Sequence, residues 1–309
     1  MAKHVLLTGG TGFIGTKLCE YLLQQGHNIT IFTRNPSALS ERWGKKINAI
    51  RRLDQIQEME QIDWVINLAG EPIMNGRWNN KRKHAIVDSR IQVTKHLISQ
   101  LAQRKQIPEV MISGSAIGYY GDHGDEPCTE QTEAGEGFSA ELCKDWEKAA
   151  HPITVKGARL CVLRTGIVLD AKGGALKRMM GPFKMGLGGK LGAGNQWMSW
   201  IHLDDLCRMI LFIASRPDCK GPFNGTAPDP VTNEIFTKTL GEILNRPTVV
   251  PMPALALKLV LGEASELLLG SQQVIPEKAL QQGFNFKYET LDECLAQCFA
   301  KKPPRQKAS

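Results

Sequence analysis

Short apolar runs alternate with amphipathic stretches through the first half of the chain. Val5-Leu6-Leu7-Thr8 leads into a glycine cluster. Leu18, Tyr21 and Leu22 then recur at helical spacing as far as Gln25, and Gly26 stops that helix. Asn28–Thr33 and Trp64–Ala69 are short and apolar, the second closed by Gly70. From about residue 79 to 103 the stripe Ile86, Val87, Ile91, Val93, Leu97, Ile98 and Leu101 predicts one long helix. Val110–Ser113 reads as the next strand, Ser139–Ala150 as a helix and Leu160–Thr165 as a strand. Strands alternating with helices predict an α/β fold: a doubly wound parallel sheet covered on both faces.

The second half changes character. Residues 173–195 hold eight glycines, which reads as a long mobile connection rather than a regular element. Trp200–Leu206 reads as the start of a helix with Asp204 and Asp205 in its first turn. From about Thr226 the pattern is short helices joined by proline-rich links, with no internal repeat. These shifts divide the chain into a nucleotide-binding domain over 1–165, to which 196–225 returns, and a smaller, mostly helical substrate lobe over 166–195 and 226–309.

Composition narrows the class. The 309 residues are 42% hydrophobic and 22% charged, which excludes disordered, collagen-like and small disulfide-rich proteins. The most apolar stretch, Val249–Leu269, is broken by Lys258, Glu263 and Glu266, so no membrane span is expected. The first residues turn to glycine too early for a signal peptide. The eight cysteines form no CxxC, so no metal site or disulfide framework is expected, and reduced cysteines point to the cytoplasm.

The net charge of +7 raises the possibility of a polyanionic partner. It is unevenly placed. Arg77–Lys105 holds eight basic residues against Asp88, and Arg34–Arg52 holds six against Glu41. Asp122–Glu147 holds nine acids against Lys144. The basic runs carry few aromatics and no recognition motif, so nucleic acid is not the expected partner. The basic tail after Ala300 lacks apolar anchors and is expected to fray.

Gly9, Gly12 and Gly15 follow the first strand and open the first helix, the context in which such a triplet binds a dinucleotide. Gly9 permits the tight turn, Gly12 lets the backbone approach a pyrophosphate, and Gly15 lets helix and sheet pack closely. The helix N-terminus supplies free N–H groups and a positive dipole. The second strand ends at Thr33-Arg34, where an NAD site places an acid for the ribose hydroxyls. A guanidinium there suits a 2′-phosphate, so NADP (NADPH) is expected over NAD.

TGGTGFIG at 8–15, NLAG at 67–70, SGS at 113–115, LRTGIV at 163–168, WIHLDD at 200–205 and PFN at 222–224 come in one order. That succession resembles the extended short-chain dehydrogenase/reductases, the NAD-dependent epimerase/dehydratase superfamily, over about residues 3–245. NLAGEPI at 67–73 with Arg77-Trp78, SGSAIGYYG at 113–121 and GEAS at 262–265 narrow it to an atypical "epimerase family" subgroup. The resemblance implies a Rossmann-like sheet and a C-terminal module over 251–299. It also implies that Gly9, Thr11, Gly12, Phe13, Ile14 and Gly15 hold the pyrophosphate. Leu68, Ala69 and Gly70 would line the adenine-ribose side, with Ser113, Gly114 and Ser115 beside the nicotinamide. Thr165, Gly166, Ile167 and Val168 would cradle the carboxamide, and Gly173–Gly194 would form a lid over the substrate.

The larger family pairs a tyrosine with a lysine four residues later on the helix after Ser115. Aligned on the fingerprint, Phe138 and Leu142 fall at those positions, and neither moves a proton. Ser115 remains, with Tyr119 or Tyr120 as candidate acid/base. Arg77 and Trp78 follow a strand end, where substrate contacts are expected. Arg90 lies among apolar neighbours, where a buried guanidinium needs an anionic partner.

The resulting expectation is an NADP-dependent oxidoreductase or epimerase (isomerase) of atypical type. It would act by hydride transfer on a small polar substrate, of which a nucleotide sugar is one class. The alternative is a catalytically inactive NADP(H) sensor. The expected partners are that substrate and a second copy paired through the long helix, with no membrane.

Overall fold

Val5 and Leu7 point to one face of a sheet and Leu6 to the other, as the strand period requires. The computed structural model describes residues 1–59 and 61–300. The tail expected to fray lies outside the described residues.

The first half runs β1 (His4–Thr8), α1 (Phe13–Gln24), β2 (Asn28–Phe32), α2 (Pro36–Trp43), β3 (Asn48–Ile50) and β4 (Trp64–Asn67). Then come α3 (Asn80–Val87), a π-turn (Asp88–Gln92), α4 (Val93–Ala102) and β5 (Val110–Ala116). The stripe expected to form one long helix therefore carries a π-turn at its centre. The second half runs β6 (Pro127–Cys128), α5 (Phe138–Ala150), β7 (Arg159–Thr165), β8 (Ile167–Asp170), α6 (Gly174–Lys184), β9 (Trp197–Met198), β10 (Trp200–His202) and α7 (Leu203–Ser215). It continues with β11 (Gly221–Gly225), β12 (Val231–Thr232), α8 (Asn233–Leu244), α9 (Ala254–Leu261), α10 (Glu266–Leu269), β13 (Gln273–Val274), α11 (Glu277–Gln281) and α12 (Leu291–Phe299).

Seven strands form one parallel sheet in the order β3-β2-β1-β4-β5-β7-β11. The chain reverses direction across the sheet between β1 and β4, which opens a crevice at the strands' C-terminal ends. On one face Val5, Leu7, Ile31 and Ile66 pack with Leu18 and Leu22 of α1 and Leu206 and Ile210 of α7. On the other, Leu6, Val65 and Met111 pack with Leu97 and Leu101 of α4. A third cluster holds Leu169, Trp200, Phe236, Leu291 and Leu295.

Two expectations are corrected. Half of the glycine-rich segment 173–195 is the helix α6, because Leu176 and Phe183 bury their side chains in the third cluster. Trp200–His202 is a strand paired with β8, and the helix begins only at Leu203. His202 caps it, its Nδ1 accepting from the Asp204 N–H at 3.0 Å. No described helix is long and apolar enough to cross a membrane.

Candidate active site

The crevice at the β1–β4 switch is lined by the glycine turn. Gly9 sits at φ +72°, and a Cβ there would lie 2.5 Å from the Leu68 carbonyl oxygen. The Gly12 N–H donates to the Gly9 carbonyl at 2.9 Å and closes the turn. A Cβ on Gly15 would collide with the same carbonyl, so α1 can lie this close to β1 only with glycine there. A Cβ on Gly12 would meet only Gly9 O, at 3.1 Å, and its other side is open. Gly12 is also the N-cap of α1 and supplies no capping side chain, which leaves first-turn N–H groups facing the crevice. Thr11 and Gly12 are exposed, and Phe13 and Ile14 are half-buried.

A buried polar chain fixes the opposite wall. Thr8 Oγ1 donates to Asn67 Oδ1 at 2.6 Å and accepts from the Ala69 N–H at 3.1 Å. Asn67 Nδ2 donates to Thr94 Oγ1 at 2.8 Å, and Trp146 Nε1 donates to the same oxygen at 3.1 Å. Every member is satisfied, so the loop Leu68–Gly70 is held at a set height above the sheet. Ser113 Oγ, midway along β5, is buried with no hydrogen-bond partner among the described residues.

Arg34 follows β2 with its side chain 92% exposed, meeting Glu71 at 3.5 Å. Thr33 is buried, and its Oγ1 accepts from the Asn35 N–H. No acid stands at the end of β2 itself. Gly166, Ile167 and Val168 are half-buried where β7 gives way to β8. A Cβ on Gly166 would lie 2.5 Å from Ser199 O, so the link between β7 and β8 packs tightly against the residue before β10.

The centre of the site is a cluster that spacing along the chain did not announce. Ser115 and Arg164 are direct partners in the β5–β7 register. Ser115 Oγ donates to Glu147 Oε1 at 2.7 Å. Arg164 grips the same carboxylate with Nε at 2.9 Å and Nη2 at 3.0 Å. Burial opposes the Arg164 charge, but the bonds to Glu147 outweigh it and raise its pKa. The Tyr119 ring lies over the guanidinium, with 3.4 Å from carbon to ring centroid.

The two tyrosines part company. Tyr120 is fully buried; its hydroxyl donates to Asn224 Oδ1 at 2.6 Å and accepts from Arg164 Nη1 at 3.0 Å. Burial pushes its pKa up to about 12, so it is a structural phenol rather than a proton shuttle near neutral pH. Tyr119 is half-buried at the cleft.

The helix α5 faces the site with residues other than those first aligned. Phe138 and Leu142 pack with Trp78, Trp146 and Ala264 in an apolar cluster. Cys143 and Glu147, on another side of the helix, lie against Ser115. Trp78 is likewise core: it is 6% exposed, and its indole donates to Ile73 O. Arg77 is exposed and lies beside Gly262 rather than over the cleft. Arg90 sits in the π-turn, where its Nη2 donates to Glu71 O at 2.9 Å and Nη1 to Ile86 O at 3.2 Å. Carbonyl oxygens thus take the place of the expected anionic partner. Arg90 is stacked on Trp146 and fills the space beside Gly70.

The expected lid is partly fixed. The Phe13 ring lies where a side chain on Gly173 or Gly174 would stand, so α6 begins in contact with the glycine turn. Arg178 of α6 donates to Met74 O at 3.1 Å and to Asn75, bridging to the loop after β4. No cluster of three or more metal-ligating side chains occurs among the described residues.

Residues 5–224 match the NAD dependent epimerase/dehydratase family, and residues 252–298 match a domain of unknown function. The chain is 37% identical over 302 residues to epimerase family protein YfhF of Bacillus subtilis, covering 96% of this chain and 98% of that one. A structure of human epimerase family protein SDR39U1 with NADPH superposes with a TM-score of 0.86 at 32% identity, covering 96% of this chain and 98% of the human one. A nucleoside-diphosphate sugar epimerase from Corynebacterium glutamicum superposes at 0.77 with 32% identity, covering 96% of this chain and 58% of that longer one.

Proposed function

This chain belongs to the NAD-dependent epimerase/dehydratase family, and we propose that within it the protein is an NADP(H)-dependent oxidoreductase or epimerase acting on a small polar substrate. The observation that carries the cofactor choice is the end of β2, where Arg34 stands exposed and the chain supplies no acid, the Glu71 carboxylate reaching the guanidinium from the loop after β4 at 3.5 Å. A guanidinium can fork onto a 2′-phosphate, whereas an NAD site wants a carboxylate for the ribose hydroxyls. That the human relative was crystallised with NADPH supports the same reading.

The crevice fits such a cofactor. The open side of Gly12, the uncapped start of α1 and the unpartnered Ser113 hydroxyl are polar groups that want a ligand. Gly9 through Gly15 would hold the pyrophosphate, Thr33 and Arg34 the 2′-phosphate, and Leu68–Gly70 the adenine-ribose side. Ser113, Gly114 and Gly166–Val168 would frame the nicotinamide. When bound, a nicotinamide cofactor supplies hydride transfer.

Ser115 orients the substrate. Its single hydroxyl proton is committed to Glu147, so it presents lone pairs to the cleft and accepts from a carbinol O–H. Tyr119, the half-buried phenol of the cluster, is the group to move the substrate proton, with Arg164 holding its ring. A second reading is an NADP(H) sensor without turnover. It draws on α5, which brings a carboxylate and a thiol to Ser115 where the larger family has a tyrosine and a lysine.

One set of measurements separates these readings. The purified protein is titrated with NADPH and NADH, then screened with sugar nucleotides and small carbonyls while the reduced-nicotinamide absorbance is followed. NADPH is expected to bind more tightly than NADH, and Arg34→Asp to reverse that order. Unchanged preference in Arg34→Asp overturns the cofactor assignment. Turnover is expected to fall by about 10²–10⁴-fold in Tyr119→Phe. Tight NADPH binding without turnover across the screen favours the sensor.

A further inference from the structure

Eight of the exposed large hydrophobic residues lie on two stretches of the chain, after α6 and around α9. They are Met185 and Leu187 after α6, Val249, Val250 and Met252 before α9, and Leu255, Leu259 and Val260 on α9, at 45–78% exposure. The segments carrying them lie side by side. The Val250 N–H donates to Gly188 O at 3.4 Å, Met252 N–H to Lys190 O at 2.9 Å and Gly192 N–H to Met252 O at 2.9 Å. Arg246 Nε donates to Lys184 O at 3.0 Å. The exposed apolar side chains are thus carried by neighbouring segments of one region of the surface. Exposed apolar residues scattered singly need no explanation, but a contiguous face does.

Charge says what the face meets. Residues 171–193 and 245–262 carry seven cations and no acid: Lys172, Lys177, Arg178, Lys184, Lys190, Arg246 and Lys258. Arg178 is engaged by the loop at 74–75, and Lys190 pairs with Glu234. Lys184, Arg246 and Lys258 are exposed among the apolar residues. A second copy docking through a two-fold axis would set these cations against themselves. Lys258 sits mid-helix between Leu255 and Leu259, where its stem can lie along apolar surface while the ammonium reaches an anion.

We propose that this face is a peripheral membrane-binding surface for anionic lipid, with α9 lying in the headgroup plane and Lys184, Arg246 and Lys258 meeting lipid phosphates. No described helix is long and apolar enough to cross the bilayer, and this surface contact replaces the expectation from sequence that no membrane is a partner. The proposal is independent of the cofactor and catalytic readings.

The test is flotation of the full chain with phosphatidylcholine vesicles, with and without phosphatidylglycerol. Binding is expected only with the anionic lipid, and is expected to weaken as salt rises. Leu255→Glu/Leu259→Glu is expected to weaken it at least about tenfold, as is Lys184→Gln/Arg246→Gln/Lys258→Gln. NADPH affinity and melting temperature are measured on every variant to show that the fold is intact. Absence of binding to anionic vesicles, or equal binding by folded variants, overturns the proposal. A homodimer in light scattering that Leu255→Glu/Leu259→Glu dissolves also overturns it, in favour of a self-association face.

Discussion

Glu147 is held at three of its four lone-pair directions, by Ser115 Oγ and by both arms of Arg164. Arg164 is only 4% exposed, so its charge is tolerated only because this carboxylate answers it. Removing Arg164 leaves the partly buried Glu147 carboxylate, 16% exposed, without its cation. Arg164→Met should therefore cost about 3–5 kcal/mol, read as a fall in the urea midpoint at constant m-value. A loss below about 1 kcal/mol, the range of surface pairs, would show that solvent reaches the cluster and that Ser115 is not rigidly oriented. Ser115 was legible in the sequence because it stands in a recognisable string after a strand. Glu147 and Arg164 were not. They lie 32 and 49 residues further along, and only the β5–β7 register and the α5 face bring them together. Tyr120 misled for a related reason: adjacency to Tyr119 says nothing about which of two neighbouring rings the backbone turns inward. Trp78 did likewise, since a tryptophan after a strand end serves a core as readily as a cleft.

At the scale of elements, the β1–α1 turn separates two uses of glycine that look alike in sequence. Gly15 is required by packing, because a side chain there strikes the Gly9 carbonyl, which cannot move without unseating the turn. Gly12 has open space on its outer side, so its lack of a side chain serves an approaching ligand. Gly15→Ala should lower the melting temperature clearly, by the several degrees that about 1–3 kcal/mol of overpacking implies. Gly12→Ala should lower the melting temperature less than Gly15→Ala, since its Cβ meets that carbonyl at 3.1 Å rather than 2.3 Å, yet bind NADPH at least about tenfold more weakly. If both variants melt alike and bind alike, the turn is not the cofactor cradle. Long strongly patterned elements were readable in advance: β1, α1, the α3–α4 stripe, β5, α5 and β7 all lie within a few residues of their expected bounds. The π-turn at Asp88–Gln92 was not, because one extra residue in a helical turn leaves the apolar stripe almost undisturbed. Nor was α6, whose glycines argue against helix by propensity while Leu176 and Phe183 pull it into the core. The short β3 has little apolar pattern of its own and owes its place to pairing with β2.

At the scale of the whole molecule, the C-terminal segment matching a domain of unknown function is part of the main core rather than an appendage. Ala279, Phe284 and Phe286 pack in the same cluster as Val5, Ile31, Leu206 and Phe223 of the parallel sheet and its helices. β13 pairs with β6, and Asn224 of the last sheet strand donates to Ile275 O at 2.9 Å. Glu130, in the acidic stretch, accepts from the Asn224 and Lys278 N–H groups. Asp205 at the start of α7 accepts from the Lys287 and Tyr288 N–H groups. Cutting the chain after residue 250 would strip the Lys278 N–H from Glu130, which keeps Asn224, and the Lys287 and Tyr288 N–H groups from Asp205, which keeps Arg208, and would uncover two phenylalanines. Each phenylalanine is worth about 1.5–3 kcal/mol, and each hydrogen bond lost to a charged group about 1.5–3 kcal/mol more. Their sum reaches the whole stability of an ordinary domain, about 5–15 kcal/mol. A chain of residues 1–250 should therefore be insoluble or molten, with no cooperative melt and no NADPH binding, although it contains the entire glycine turn. A folded, cooperatively melting 1–250 fragment would instead make the C-terminal segment a separable domain. It would also mean that the acids at 130 and 205 find other partners once that segment is gone.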